Sequence, residues 1–109
     1  MSRPHILLIM TDQQQAKAMG CAGNPYLETP YLDAIAADGV RFENAYCPYP
    51  LCVPCRASIF SGRMPLELGL GVESKPWPDR VIDQIDLGHR LREAGYRTVY
   101  SGKWHAPEG

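Results

Sequence analysis

The sequence lacks any long apolar run. The longest such stretch near its start covers residues 6–10, at most half of a signal-peptide core, and no small-residue cleavage site follows it. A membrane-spanning helix needs about 18 consecutive apolar residues, and no part of the chain approaches that length. From these observations we expect a cytoplasmic protein without a membrane partner.

The sequence also lacks an excess of charge of either sign. Its 109 residues include 11 Lys and Arg and 12 Asp and Glu, the net charge is -1, and the basic residues are scattered. Nucleic-acid-binding domains carry clustered basic residues, so we expect no nucleic-acid partner. With 45% apolar residues, the composition is that of a globular protein of at most one domain.

Three segments have the residue pattern of β-strands, and three have helical spacing. Residues 5–10 form a nearly continuous apolar run, typical of a strand buried on both faces of a parallel sheet. The other predicted strands are residues 40–46 and 96–101. Helices are predicted from Thr29 to Gly39, from about Pro54 towards Gly62, and from Asp86 to Gly95, with an irregular surface connection over residues 63–80. This order predicts an α/β fold with a largely parallel sheet.

Polar residues follow the first and the last of the predicted strands. Asp12 comes after the first strand, and Lys103 and His105 come after the last. Ligands of parallel sheets bind at the carboxyl ends of the strands. We therefore expect these three side chains to face one crevice.

The segment with the most reactive side chains lies between the second predicted strand and the second predicted helix. It reads Cys52-Val53-Pro54-Cys55-Arg56 and is followed by two serines. Cys21 and Cys47 complete a set of four cysteines. Because no secretory signal was identified, we expect the cysteines to stay reduced.

Three parts of the chain together resemble the type I, formylglycine-dependent sulfatases of the alkaline-phosphatase superfamily. Residues 52–56 match a signature in which a Cys stands two residues before a Pro and four before an Arg. Residues 95–98 and 102–105 match the second signature, and residues 29–42 resemble the helix and strand that precede the nucleophile. The resemblance covers residues 4–105 and implies an alkaline-phosphatase-like α/β sandwich.

The resemblance implies that Cys52 is the precursor of the nucleophile. A formylglycine-generating enzyme, as partner, would oxidise Cys52 to an aldehyde whose hydrate attacks the sulfur of a small-molecule sulfate ester. Arg56 would support the hydrate, Lys103 would neutralise charge, and His105 would assist proton transfer. The implied activity is sulfuric ester hydrolysis.

The resemblance also implies a divalent cation that lowers the pKa of the hydrate. Asp12 matches a metal ligand of the family, and Gln13 stands where the family often has a second Asp. The group formed from Cys52 is the third implied ligand. Oxygen ligands favour Ca²⁺, with Mg²⁺ or Mn²⁺ as alternatives.

Sulfatases are several times longer than this chain. We therefore predict that residues 1–109 are the N-terminal portion of a sulfatase catalytic domain and that their sheet is incomplete. The remaining metal ligands of the family would come from later sequence. We expect the piece alone to be inactive and, because its sheet edge would be open, poorly soluble.

Two other functions are consistent with parts of the pattern. A phosphonate monoester or phosphodiester hydrolase of the same superfamily is a close neighbour. Cys52 and Cys55 also form a Cys-x-Pro-Cys sequence followed by a basic residue, which is typical of a thioredoxin-like thiol redox module. The aromatic residue that normally precedes the first Cys of that motif is absent. The spacing of Cys47, Cys52 and Cys55 also matches an iron-sulfur ferredoxin, but no fourth Cys follows.

The chain departs from the sulfatase pattern at Cys55 and Gln13. The family usually has Ser, Thr or Ala at the position of Cys55, so the departure bears on recognition by the maturing enzyme. A Cys52–Cys55 disulfide, if formed, would block maturation. Gln13 removes a negative charge from the implied metal site. Taken singly, Asp12 could cap a turn, and Lys103 and His105 could be solvated surface residues. The joint pattern favours the functional interpretation.

Overall fold

The computed structural model describes residues 3–71 and 86–106. The chain divides into two compact units, Met1–Ala45 and Tyr46–Gly109. The described residues contain three α-helices: α1, Pro30–Asp38; α2, Cys52–Ser61; and α3, Leu87–Glu93. A 3₁₀ helix, Gly20–Ala22, precedes α1.

The first unit is organised by the start of α1. Thr29 is the N-cap and Pro30 occupies the first helical position, where the missing amide proton costs nothing. The side chain of Thr29 makes no capping bond. Its hydroxyl instead accepts from the amide of Gly20 at 2.8 Å and donates to the Asp33 carboxylate at 2.9 Å.

Asp33 fastens the 3₁₀ helix to α1. Its Oδ1 atom also accepts from the amide of Cys21 at 2.7 Å. That backbone N–H is the largest cause that lowers the pKa of the Asp33 carboxyl from its ordinary 3.8. A Cβ on Gly20 would come within 2.5 Å of Asp33 Oδ2, so only glycine fits this approach without a shift of the carboxylate.

The second unit contains the buried apolar residues of the described chain. α2 contacts α3, and the largest fully buried side chains are Pro54 and Leu70. The other buried apolar side chains are Ala57, Phe60, Pro65, Leu68 and Ala106. Residues 65–69 form consecutive turns. The start of the connection over residues 63–80 was expected at the surface, but Pro65, Leu68 and Leu70 are buried and contribute to the core. Its remainder, from residue 72, lies outside the described residues.

Two helix predictions are confirmed at both ends and one is corrected. α1 ends at Asp38 with Gly39 as its C-cap, and α3 begins after Asp86, whose carboxylate accepts from the amide of His89 at 2.7 Å. α3 is followed by Gly95 with φ 82°. α2 was expected from about Pro54 but begins at Cys52, because a proline is tolerated anywhere in the first helical turn.

The predicted sheet is not formed in the part of the chain that the structure describes. Residues 5–10, 40–46 and 96–101 run without strand pairing. A parallel strand is stabilised only by neighbours that accept and donate its backbone hydrogen bonds, and these segments have none here. Their apolar side chains are accordingly exposed, including Leu7, Phe42 and Val99, which are 84%, 79% and 82% accessible. The parallel sheet therefore stays a prediction.

No helix among the described residues has the length and apolar character needed to cross a membrane.

Candidate functional site

Cys52 lies at the first position of α2. The preceding Leu51 is extended, with φ -131° and ψ 148°, and its carbonyl accepts the first helical hydrogen bond, from Cys55, at 3.0 Å. Cys52 is half-buried. A helix N-terminus carries a partial positive charge, so Cys52 stands where a negative charge is favoured.

Lys103 contacts Cys52. Its Nζ atom donates to the Cys52 Sγ atom at 3.4 Å. The two residues are 51 positions apart in the chain, and they come from the two segments that carry the separate sequence signatures. The structure therefore brings together a potential nucleophile and a cationic side chain.

The Arg56 side chain contacts the backbone of Lys103. The Arg56 side chain is buried, with 6% of the residue accessible, and its NH1 atom donates to the Lys103 carbonyl oxygen at 2.6 Å. The same oxygen accepts from the Tyr100 hydroxyl at 2.5 Å. Sequence reasoning assigned Arg56 to the nucleophile; in the structure it also holds the backbone of the residue that contacts the nucleophile.

Three aromatic rings support this arrangement. Phe60 of α2 stacks on Trp104 with centroids 4.8 Å apart and an interplanar angle of 9°. Tyr100 meets Trp104 edge to face at 5.2 Å and Phe60 at 6.0 Å. We call Phe60, Tyr100 and Trp104 the aromatic cluster. The role of this cluster was not predicted from the sequence, although Phe60 was expected on α2 and Trp104 stands between the two predicted catalytic residues Lys103 and His105.

His105 lies beside this site without joining the contacts. It is exposed, and in the described part of the chain its imidazole makes no hydrogen bond to Cys52 or Arg56. Its backbone has φ 43°, in the left-handed region that non-glycine residues seldom adopt. Its assignment to proton transfer stays a prediction.

Asp12 and Gln13 belong to the first unit, whereas the other predicted site residues belong to the second. Both side chains are exposed, and the backbone of Gln13 adopts the left-handed conformation with φ 56°. Residues 3–71 and 86–106 contain no group of three or more His, Cys, Asp or Glu side chains arranged to hold a metal ion. The oxygen donors of Asp12 and Gln13 suit a hard divalent cation, but Ca²⁺ takes about six to eight oxygens. These two side chains therefore fit as part of a coordination shell.

All four cysteines lie in the described residues, and none forms a disulfide. The thiol of Cys47 donates to the Tyr49 carbonyl at 3.0 Å. Burial, followed by a hydrogen bond to Cys47, raises the pKa of the Cys55 thiol from 9.0 to about 11. Thiol–disulfide exchange proceeds through the thiolate, which is scarce at Cys55 at neutral pH. The redox role considered for the Cys52–Cys55 pair stays an alternative prediction.

Comparisons with known proteins agree on one family. The family model described as Sulfatase matches residues 4–107. The chain is 38% identical to the ulvan-active sulfatase of Formosa agariphila over 95% of its length, and 41% identical to arylsulfatase A of Bos taurus over 99%. It is 38% identical to the N-acetylglucosamine-6-O-sulfatase of Bacteroides thetaiotaomicron over 94% of its length.

The chain spans about one fifth of the length of these relatives: 20%, 22% and 18%, respectively. No solved structure matches the chain.

Proposed function

Starting from the chain's membership of the sulfatase family, we propose that the protein containing it hydrolyses sulfuric esters with a nucleophile derived from Cys52. In this proposal, residues 1–109 form the N-terminal portion of the catalytic domain, and the rest of that domain completes the site. The relatives' names share only the sulfatase activity. The proposed substrate class is accordingly a small-molecule sulfate ester.

The observation that carries the proposal is the 3.4 Å contact between Lys103 Nζ and Cys52 Sγ. Sulfate ester hydrolysis builds negative charge on the sulfate oxygens and on the leaving group. A cation held beside the attacking atom stabilises that charge without having to reorganise during the reaction. The position of Cys52 at the start of α2 adds the favourable end of the helix dipole.

Formylglycine is the group that we propose at position 52. When present, it supplies a nucleophilic hydroxyl and a means of releasing sulfate that a thiol lacks. A formylglycine-generating enzyme is the partner that this proposal requires. Cys52 precedes Pro54 by two residues and Arg56 by four, which is the family's arrangement for that modification.

The protein's own residues bind and orient the reacting groups. Lys103 would hold the sulfate group next to position 52, and Arg56 would fix the main chain of Lys103 from within the core. His105 follows Lys103 by two residues, and we propose that it moves the proton of the leaving group. These roles are extensions of the family resemblance to this chain.

A divalent cation is the second group that we propose. Asp12, Gln13 and the modified Cys52 would hold it, with further ligands from the remainder of the domain. Bound there, the cation would supply Lewis acidity. The oxygen character of this donor set favours Ca²⁺ over softer metals and also admits Mg²⁺ or Mn²⁺.

The experiment compares two cysteine variants of the full-length protein, co-expressed with a formylglycine-generating enzyme. Cys52→Ala should lower the hydrolysis of 4-nitrophenyl sulfate by at least roughly 10³-fold, because it removes the attacking atom. Cys55→Ala is the matched control, three residues away, and should retain the aldehyde at position 52 and the activity. Phenylphosphonate esters assayed in parallel separate a sulfatase from a phosphonate hydrolase.

The result that would overturn the proposal is full hydrolytic activity in Cys52→Ala. Absence of an aldehyde at position 52 in an active wild-type protein would remove the formylglycine part. Preference for the phosphonate ester would replace the substrate class. A gain of activity on adding Ca²⁺ to metal-stripped protein, lost in Asp12→Ala, is the expected result for the cation.

A further inference from the structure

Tyr100 has no assigned role, yet it contacts the residue that approaches the nucleophile. Its hydroxyl donates to the Lys103 carbonyl oxygen at 2.5 Å, and Arg56 NH1 donates to the same oxygen at 2.6 Å. A carbonyl oxygen has two lone pairs. Tyr100 and Arg56 together therefore occupy both acceptor directions of Lys103.

The two donors approach Lys103 from different parts of the second unit. Arg56 extends from the buried side of α2, whereas Tyr100 belongs to the same segment as Lys103, three residues earlier. Gly102, which lies between Tyr100 and Lys103 in the chain, adopts φ 110°, a conformation that side-chain-bearing residues rarely take. This turn brings the Lys103 carbonyl back towards the Tyr100 hydroxyl.

The rings on both sides of Lys103 are anchored as well. Trp104 stacks on Phe60, and Tyr100 packs edge to face on Trp104. The backbone at Lys103 is thus held by two hydrogen bonds and by the ring that follows it. The side chain of Lys103 is exposed, and its Nζ atom lies 3.4 Å from Cys52 Sγ.

We propose that Tyr100 is a positioning residue: its hydroxyl, together with Arg56, fixes the Lys103 backbone so that the ammonium group stays beside position 52. The contact between the Lys103 ammonium and the Cys52 thiol is present in the folded chain, whatever its function. The consequence for sulfate ester hydrolysis rests on the function proposed above. Tyr100 touches neither Cys52 nor the substrate in this role and acts only through Lys103.

A packing role for Tyr100 makes a different prediction. Tyr100 is 49% accessible, and phenylalanine would keep the ring and its contact with Trp104. If packing alone matters, Tyr100→Phe leaves the environment of Cys52 unchanged. If the hydroxyl matters, the same variant frees one acceptor direction of Lys103 and moves positive charge away from Cys52.

The test uses the full-length protein expressed without the maturing enzyme, so that Cys52 remains a thiol. It is alkylated with a limiting mixture of iodoacetate and iodoacetamide, and the two adducts at Cys52 are counted by peptide mass spectrometry. Both reagents react with the same thiolate, so its abundance cancels in the ratio. The anionic reagent is favoured by a nearby cation, and the ratio therefore reports the position of the Lys103 charge.

We expect Tyr100→Phe to lower the iodoacetate-to-iodoacetamide ratio by about two- to fivefold, as expected for a unit charge leaving a site near the surface. Lys103→Gln gives the lower limit of the ratio. Tyr96→Phe, which removes a hydroxyl from the same segment, is the matched control and should keep the wild-type ratio. Replacing Tyr100 with 4-aminophenylalanine restores an N–H donor and should restore the ratio.

An unchanged ratio in Tyr100→Phe would overturn the positioning role, whatever the enzymatic activity. A lowered ratio that 4-aminophenylalanine does not restore would assign the effect to local disorder and would also overturn it. A lowered and restored ratio supports it. In the matured protein, Tyr100→Phe should then reduce kcat/KM for the sulfate ester; if no variant or wild type hydrolyses the ester, the proposed function fails while the positioning role stands.

Discussion

The indole of Trp104 lies flat on the ring of Phe60, with centroids 4.8 Å apart and planes 9° from parallel. Phe60 belongs to α2, whose first residue is Cys52, and Trp104 directly follows Lys103. The stack therefore joins the elements that carry the potential nucleophile and the cation beside it. Loss of either ring should loosen this connection.

Phe60→Leu should destabilise the protein. Phe60 is 7% accessible, and the change removes the stacking partner of Trp104 and leaves unfilled volume. We expect the free energy of unfolding to fall by about 1–3 kcal/mol. Chemical denaturation followed by tryptophan fluorescence measures it. Ile59→Val, on the exposed side of the same helix, should change it by no more than about 0.5 kcal/mol, and equal effects of the two variants would contradict the prediction.

Gly102→Ala should destabilise the turn that precedes Lys103. A Cβ at this position meets no atom within 4 Å, so the cost comes only from the backbone angle of φ 110°. Such conformations cost about 1–3 kcal/mol for a residue with a side chain. Thermal unfolding should show a lower Tm than in Ser101→Ala, the neighbouring control. A Tm equal to that of the wild type would show that the turn adopts another conformation.

The hydrogen bonds by which Asp33 joins the 3₁₀ helix to α1 should weaken in acid. The pKa of its carboxyl is lowered in the folded state, first by the amide of Cys21, so the ionised form contributes stability above the ordinary pKa of 3.8. That contribution is lost as the pH falls through the lower folded value. Protection factors for the amides of Gly20 and Cys21, measured by hydrogen exchange, should fall accordingly.

Asp33→Asn keeps an acceptor oxygen but removes the charge, and should abolish the pH dependence of this protection. Asp38→Asn, an exposed change at the end of the same helix, is the control and should preserve it. Protection that stays constant in the wild type as the pH is lowered from about 5 to about 2 would be inconsistent with a lowered pKa at Asp33.

Cys55 should resist alkylation until the solution is strongly alkaline. Burial and the hydrogen bond to Cys47 raise its pKa from 9.0 to about 11, so its thiolate is scarce at neutral pH. Residue-resolved iodoacetamide labelling should rise steeply only as the pH approaches about 11. Cys47→Ala should move this rise to lower pH, but not to 9.0, because burial is the larger cause.

The same shift sets the sign of an effect on stability. Between pH 9.0 and about 11 the unfolded thiol has lost its proton while the folded one retains it. Folding then requires proton uptake, so the contribution of Cys55 to stability is complete below pH 9.0 and is lost as the pH rises. An increase of stability over this interval in the wild type, relative to Cys55→Ala, would refute the assignment.

The helices that the sequence predicted well are those with local end signals. Thr29 and Pro30 start α1, Gly39 ends it, and Asp86 starts α3. The start of α2 was misplaced by two residues because Pro54 is compatible with several first-turn positions. The strands could not be tested in the same way, since pairing is set by segments distant in sequence.

In the candidate site, too, some features were predicted from the sequence and others were not. The two signatures predicted that Cys52 and Lys103 act together, and the structure gives their contact. The hydrogen bonds from Arg56 and Tyr100 to the Lys103 carbonyl could not be predicted from the sequence, because every residue has a backbone acceptor. Asp12 and Gln13 stay predictions from the family resemblance.

The main chain of Lys103 is held by two hydrogen bonds to its carbonyl oxygen and by the ring that follows it. Exchange of the side chain should therefore leave these two hydrogen bonds in place, because a backbone carbonyl accepts both. Arginine or a neutral amide at position 103 would present a different head group at the same place. The chemistry next to position 52 can thus be diversified, in evolution or by design, without refolding its surroundings.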